Sequence, residues 1–240
     1  MKKILAFLLS AAMIFALASC GGKTSPSGNE SEAAAPTEVA KIDMTEDQQY
    51  SANTFISAFA EQGFSGYDKK AAIDPGQLML FAFKYNNMNN NNLNAEYVQE
   101  GDYNIRFSLK YINDILDRFF GLTLTEEQAS ALESSPRYSF KDGNFYINIG
   151  DGEAHTSLAI VDSLTSLSDG TYKMHFKIYA LDLDVYYDNN GISKKYYQMT
   201  GEQADTCAEL EYAYDGTAVA SPYNFNGVDT YQLSSIIINY

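Results

Sequence analysis

The chain has 240 residues, and a hydrophobic share of 45% with 14% aromatics, 19 Tyr and 14 Phe without a Trp, excludes intrinsic disorder for most of it. Its 31 acids against 16 Lys and Arg give a formal charge of −15. A surface of that sign repels phosphate backbones and anionic headgroups, which speaks against nucleic acid as a partner and against a polybasic membrane contact.

Met1 to Ser19 reads as a secretory signal: Lys2 and Lys3, an apolar run from Ile4 to Leu9, then small residues before Cys20. It is short of the roughly twenty apolar positions of a permanent membrane span. The ending Leu17-Ala18-Ser19-Cys20, followed by Gly21-Gly22, resembles the lipobox of bacterial lipoproteins. That resemblance implies cleavage before Cys20, diacylation of its thiol, and a lipid-anchored protein on the extracytoplasmic face of the cell membrane. Removal of Lys2 and Lys3 takes the charge from −15 to −17, since every acid lies beyond Cys20. With Cys20 acylated, Cys207 has no thiol partner and is expected as a small buried hydrophobe.

Residues 20–44 are rich in Gly, Ser, Pro and Glu and read as a flexible tether of roughly 25 Å mean span. Order is expected from Thr45 onward as one domain, 45–240. Thr45 and Gln48 have capping-box spacing, and Ala52, Phe55, Ile56 and Phe59 recur at helical intervals, predicting a helix over 46–62. Asp74-Pro75 opens a second helix over 75–86, where the run from Leu78 to Phe83 predicts the most buried helix. The asparagine-rich stretch 86–94 is expected as a solvated loop. A third helix beginning near Asn104 puts Leu109, Ile112, Ile115, Leu116 and Phe119 on one stripe and ends at Gly121. Thr125 and Gln128 open a short fourth helix over 126–133.

After Pro136 the period changes to two. Asp142-Gly143, Asp169-Gly170, Asn190-Gly191, Asp215-Gly216 and Asn226-Gly227 separate strand-like runs, and such pairs favour the positive φ of hairpin turns. The second half therefore reads as an antiparallel meander. Within it, the apolar set Tyr172, Met174, Phe176, Ile178 gives way to Tyr179, Leu181, Leu183, Val185, which implies a bulge or bend between Ile178 and Asp182. Leu210, Tyr212 and Tyr214 read as the inner face of a half-buried strand, and Ile236-Ile237-Ile238 as a buried one.

Helices followed by an antiparallel sheet make an α+β fold, N-terminal helices packed on a C-terminal meander. The element order, without any motif, resembles the nuclear-transport-factor-2-like fold, a resemblance that carries no function.

Chemistry is sparse. His155 and His175 stand twenty residues apart and do not form a metal-ligand pattern. Asp188, Asn190 and Gly191 match only part of a calcium loop and read as a turn. Gly150-Asp151-Gly152-Glu153 lacks the lysine and helix of a phosphate-binding loop, and no Gly-x-Ser-x-Gly is present. Asp182/Asp184 and Glu209/Glu211 would each share one strand face roughly 6 to 7 Å apart, which is the spacing of glycosidase carboxylates but also of an ordinary solvated face. No cofactor is called for. The expectation is a lipid-anchored binding module for an envelope glycan, peptide or protein, with a hydrolase using a carboxylate pair as the alternative.

Overall fold

The computed structural model describes residues 35–64, 66–71, 74–89, 95–132, 138–148 and 156–239. Cys20, the signal segment, residues 90–94, His155 and Gly150 to Glu153 lie outside the described residues. In chain order the elements are β1 (Glu38–Ile42), α1 (Glu46–Ala60), β2 (Gly66–Asp68), α2 (Pro75–Asn89), β3 (Glu96–Glu100), β4 (Tyr103–Ser108), α3 (Leu109–Phe120), α4 (Glu126–Ala131), β5 (Tyr138–Lys141), β6 (Asn144–Ile147), β7 (Ser157–Leu167), β8 (Tyr172–Leu181), α5 (Leu183–Asn189), α6 (Lys194–Tyr197), α7 (Gly201–Asp205), β9 (Leu210–Phe225) and β10 (Val228–Asn239). This is the α+β class, with the longer helices N-terminal and a meander β7-β8-β9-β10 behind them.

The meander is the centre of a six-stranded antiparallel sheet in the order β1-β7-β8-β9-β10-β2. β1 falls inside the expected tether and pairs with β7 through Ile42 opposite Leu164, so order begins before Thr45. A second sheet, β3-β4-β6-β5, was not expected. Its strand β4 occupies the residues where the third helix was placed, and α3 starts only at Leu109, capped by Ser108. The α3 stripe is buried as expected, and Gly121 ends the helix in the left-handed region at φ 62°.

The capping boxes at Thr45 and Thr125 are both formed. Asp74 caps α2 as expected, accepting from the backbone of Gly76 at 2.9 Å. α2 is not apolar all round, because Leu80 is exposed. It extends to Asn89, and Asn86, expected in a solvated loop, is fully buried and accepts from the Tyr111 hydroxyl at 2.5 Å. α2 joins the helices to the second sheet: Phe81 packs on Phe59 of α1 and on Phe119 and Phe120 of α3, while Phe83 stacks on Phe107 and meets Phe145 of the second sheet.

Three of the five Asx-Gly pairs are hairpin turns, at Asp142-Gly143, Asp169-Gly170 and Asn226-Gly227. Asn190-Gly191 instead ends α5, with Asn190 left-handed as its C-cap. Asp215-Gly216 lies inside β9. There the requirement is space: a Cβ on Gly216 would overlap the Phe176 ring and stand 2.6 Å from the Ile237 carbonyl oxygen.

β8 runs regularly to Leu181, where Asp182 turns the chain into α5 by accepting from Asp184 and Val185. The irregularity lies in the partner strand, where Ile178 faces Tyr214 and Tyr179 faces Tyr212, leaving Ala213 without a partner. Phe176 is buried as expected, but Leu183 is 55% exposed because β8 has ended. Tyr212, Tyr214 and Ile237 are also exposed, contrary to expectation. Cys207 is free, half-buried, and packs against a small cluster of Leu158, Ile160, Tyr179, Leu181, Tyr196 and Ala204.

Candidate functional site

Helix α1 carries a polar stripe at intervals of four, Gln49, Asn53 and Ser57, all buried. This stripe lies along the edge of β7 beyond the reach of β1. Ser57 exchanges hydrogen bonds with both backbone groups of Ala159, Asn53 Oδ1 accepts from Val161 N at 2.7 Å, and Gln49 Nε2 donates to Val161 O at 2.8 Å. Side chains thus satisfy backbone groups that another strand would otherwise satisfy. Asn53 Nδ2 also donates to the carbonyls of Tyr197 and Met199, each at 2.9 Å, which fixes the segment after α6 against α1.

That segment forms one wall of a cleft of about 500 Å³. α1 gives Asp47, Tyr50 and Ser51, and its C-cap gives Glu61; the floor is Phe55, Tyr85 and Phe119; Val228 to Thr230 of β10 close the far side. Glu61 is 9% exposed and its Oε1 accepts from the Tyr197 hydroxyl at 2.7 Å. Arg118, from the last turn of α3, spreads over the rings of Phe119, Tyr85 and Phe225 at 5.1 to 5.8 Å and donates from Nη1 to the Tyr85 hydroxyl at 3.0 Å. Among the described residues its guanidinium forms no ion pair, whereas Arg106, Lys110, Lys141, Lys173, Lys177 and Lys195 each do. Lys194 caps the Tyr50 ring at 4.9 Å.

A second cleft of about 560 Å³ adjoins the first and shares Asp47, Ser51, Asp229 and Thr230 with it. Between them Ser51 Oγ donates to the Asp229 carbonyl at 3.0 Å, forming a saddle. Beyond it stand Tyr172, Tyr223 and Tyr231, with Tyr172 and Tyr231 edge to face at 6.2 Å. The groove so formed runs between α1 and the β9–β10 hairpin.

Burial sets the protonation of its phenols. Tyr197 is driven far above the usual phenol range by burial first and then by the Glu61 charge it donates to. Burial also raises Tyr85, against the lowering effect of Arg118, and pushes Tyr231 up to about 12. These hydroxyls therefore remain protonated at any physiological pH, neutral donors and acceptors on an aromatic lining.

The acids singled out in the sequence lie elsewhere. Asp182 caps α5 and Asp184 lies in its first turn, both exposed, so they are not a pair on a strand face. Glu209 precedes β9 and accepts from Tyr196 Oη at 2.5 Å and Lys195 Nζ at 3.1 Å, while Glu211 is exposed on β9. His175 is half-buried on β8 opposite Thr217, and Asp188 sits in α5. The groove residues Glu61, Arg118 and Tyr197 went unmarked. Arg118 reads in sequence as a base near a helix C-terminus, where the dipole favours it, and only the fold sets aromatic rings around it. No family model, no curated protein and no solved structure matches this chain.

Proposed function

We propose that the chain is an extracytoplasmic binding module of the bacterial cell envelope, anchored by a lipid on Cys20, whose ligand occupies the groove between α1 and the β9–β10 hairpin. The supporting observation is a cleft of about 500 Å³ with a rigid aromatic floor and an arginine held in it without a carboxylate partner among the described residues. Binding sites of small ligands are mostly apolar concavities of this size with a few fixed polar groups. Asp182 and Glu209 serve as a helix cap and a tyrosine acceptor, which gives the hydrolase alternative no support.

Two experiments test this reading. Mass spectrometry of the membrane fraction should find diacylglyceryl-Cys20 at the mature N-terminus, and Cys20→Ala should release the protein; an unmodified soluble wild type would contradict the anchor. Thr54 lines the cleft and bonds only within its own helix, so Thr54→Trp should plug the cleft with little change in melting temperature. Ligand-observed NMR against envelope peptides and glycans should show binding lost in that variant. Retention of binding would move the site elsewhere.

A further inference from the structure

Resting on the groove as the binding site, we infer that its ligand is a short peptide with free termini, its C-terminal carboxylate on Arg118 and its ammonium end between Asp47 and Asp229. A guanidinium has five N–H donors in a planar fork, and Tyr85 engages one of them at 3.0 Å. The rings of Tyr85, Phe119 and Phe225 fix its plane and keep water from part of its surface. A preoriented, partly desolvated fork is the group that best receives a carboxylate, two N–H groups to two oxygens.

The other charges in the cleft oppose a purely anionic ligand. Asp47, Glu61 and Asp229 line it with Arg118, and the whole chain carries −15. An anion would gain one partner and meet three acids; a simple cation would face Arg118 on the floor. A molecule with both signs satisfies both sets. Asp47 and Asp229 are exposed and border both clefts, so they stand at the saddle. With the carboxylate on Arg118 and the ammonium at the saddle, the body of the ligand lies along Tyr50 and Phe55 within the first cleft. At about 500 Å³ that cleft has room for a chain of a few residues rather than a single amino acid.

The test is calorimetric titration of the full-length protein with five probes: a library of tripeptides with free termini, the same library C-amidated, the same library N-acetylated, a uronic-acid oligosaccharide and a neutral oligosaccharide. The free library should bind, C-amidation should weaken it roughly tenfold or more, and N-acetylation should weaken it less. Arg118→Gln should reproduce the amidation loss, with Arg118→Lys intermediate because charge survives without the fork. Asp229→Asn should reduce the loss caused by N-acetylation, with Asp47 retaining part of it. Equal binding of free and amidated libraries to wild type would overturn the inference, and that comparison stands even if Arg118→Gln does not fold. Binding of an oligosaccharide alone would overturn the ligand class while leaving a binding groove. No binding by any probe would take down both.

Discussion

The two faces of β8 bury side chains by different means. On one face Met174, Phe176 and Ile178 enter a large core in which Phe55, Phe59, Phe81 and Phe119 touch ring to ring. On the other, Tyr179 and Leu181 join a thin cluster under α6 and α7, with Tyr196 at its centre. Its tyrosines are buried in the ring and anchored at the tip: Tyr179 donates to Asp205 at 2.7 Å and Tyr196 to Glu209 at 2.5 Å. A thick core needs only apolar area, whereas a thin one keeps each side chain near water and favours residues with a polar end. The change of apolar face along β8 is therefore the point where a sheet covered on one side becomes covered on both, and no flip of the strand is needed.

The largest expected effect is in the thick core. Phe176→Ala should cost about 3 to 5 kcal/mol in denaturant unfolding. Gly216→Ala should cost about 1 to 3 kcal/mol because the new methyl overlaps the Phe176 ring. Combined with Phe176→Ala it should cost somewhat less, since the ring is gone while the Ile237 carbonyl still crowds the methyl. Fully additive losses would show that the carbonyl and not the ring sets the cost.

Asn53 couples the two regions, reaching Val161 on β7 and the carbonyls of Tyr197 and Met199 beside the thin cluster. Asn53→Ala should cost about 2 to 3 kcal/mol by leaving buried backbone groups unpaired. It should also raise hydrogen exchange around residues 196 to 199 more than at Phe176. Uniform protection loss would mean the two regions are not separately held.

In the thin cluster Tyr196→Phe should cost about 1 kcal/mol, one hydrogen bond's worth. Asp205 is held below the usual carboxylate range by the ammonium of Lys177 and then by the Tyr179 hydroxyl, and Glu209 is lowered by Tyr196 and then Lys195. A carboxylate whose folded value is depressed contributes stability above its unfolded value and loses it as pH falls through the folded one. Asp205→Asn should thus flatten the stability profile below about pH 4 and lower stability slightly at neutral pH; an unchanged acid limb would contradict the assignment. The smallest effect belongs to Leu183→Ala, within about 0.5 kcal/mol for an exposed site.

Much of the frame was legible because its signals are local. A threonine three residues before a glutamine closes a capping box wherever a helix follows, and Thr45, Thr125 and also the unmarked Thr200 do so. Asx-Gly pairs specify backbone conformation rather than a hairpin, so Asn190-Gly191 ends a helix, and at Gly216 the missing Cβ matters instead. β1 was hidden because its side chains are nearly all exposed and no alternation marks an edge strand of that kind. β3 is exposed along nearly its whole length and carries no alternation to mark it, while β4 lies where the helical pattern of α3 is read too far upstream. The stripe Gln49, Asn53, Ser57 reads as a solvent face, and only the unpaired edge of β7 makes it an inner one. The groove combines α1, α3 and β10 with the segment after α6, and no spacing in the chain announces that meeting.

The central claim is that ligand binds beside Arg118, and residue-resolved NMR tests it most directly. On titrating labelled protein with the free-termini tripeptide library, resonances of Tyr50, Ser51, Tyr85, Arg118 and Thr230 should move together and saturably. Shifts confined to the exposed Tyr212, Tyr214 and Ile237, with the groove unchanged, would contradict the account.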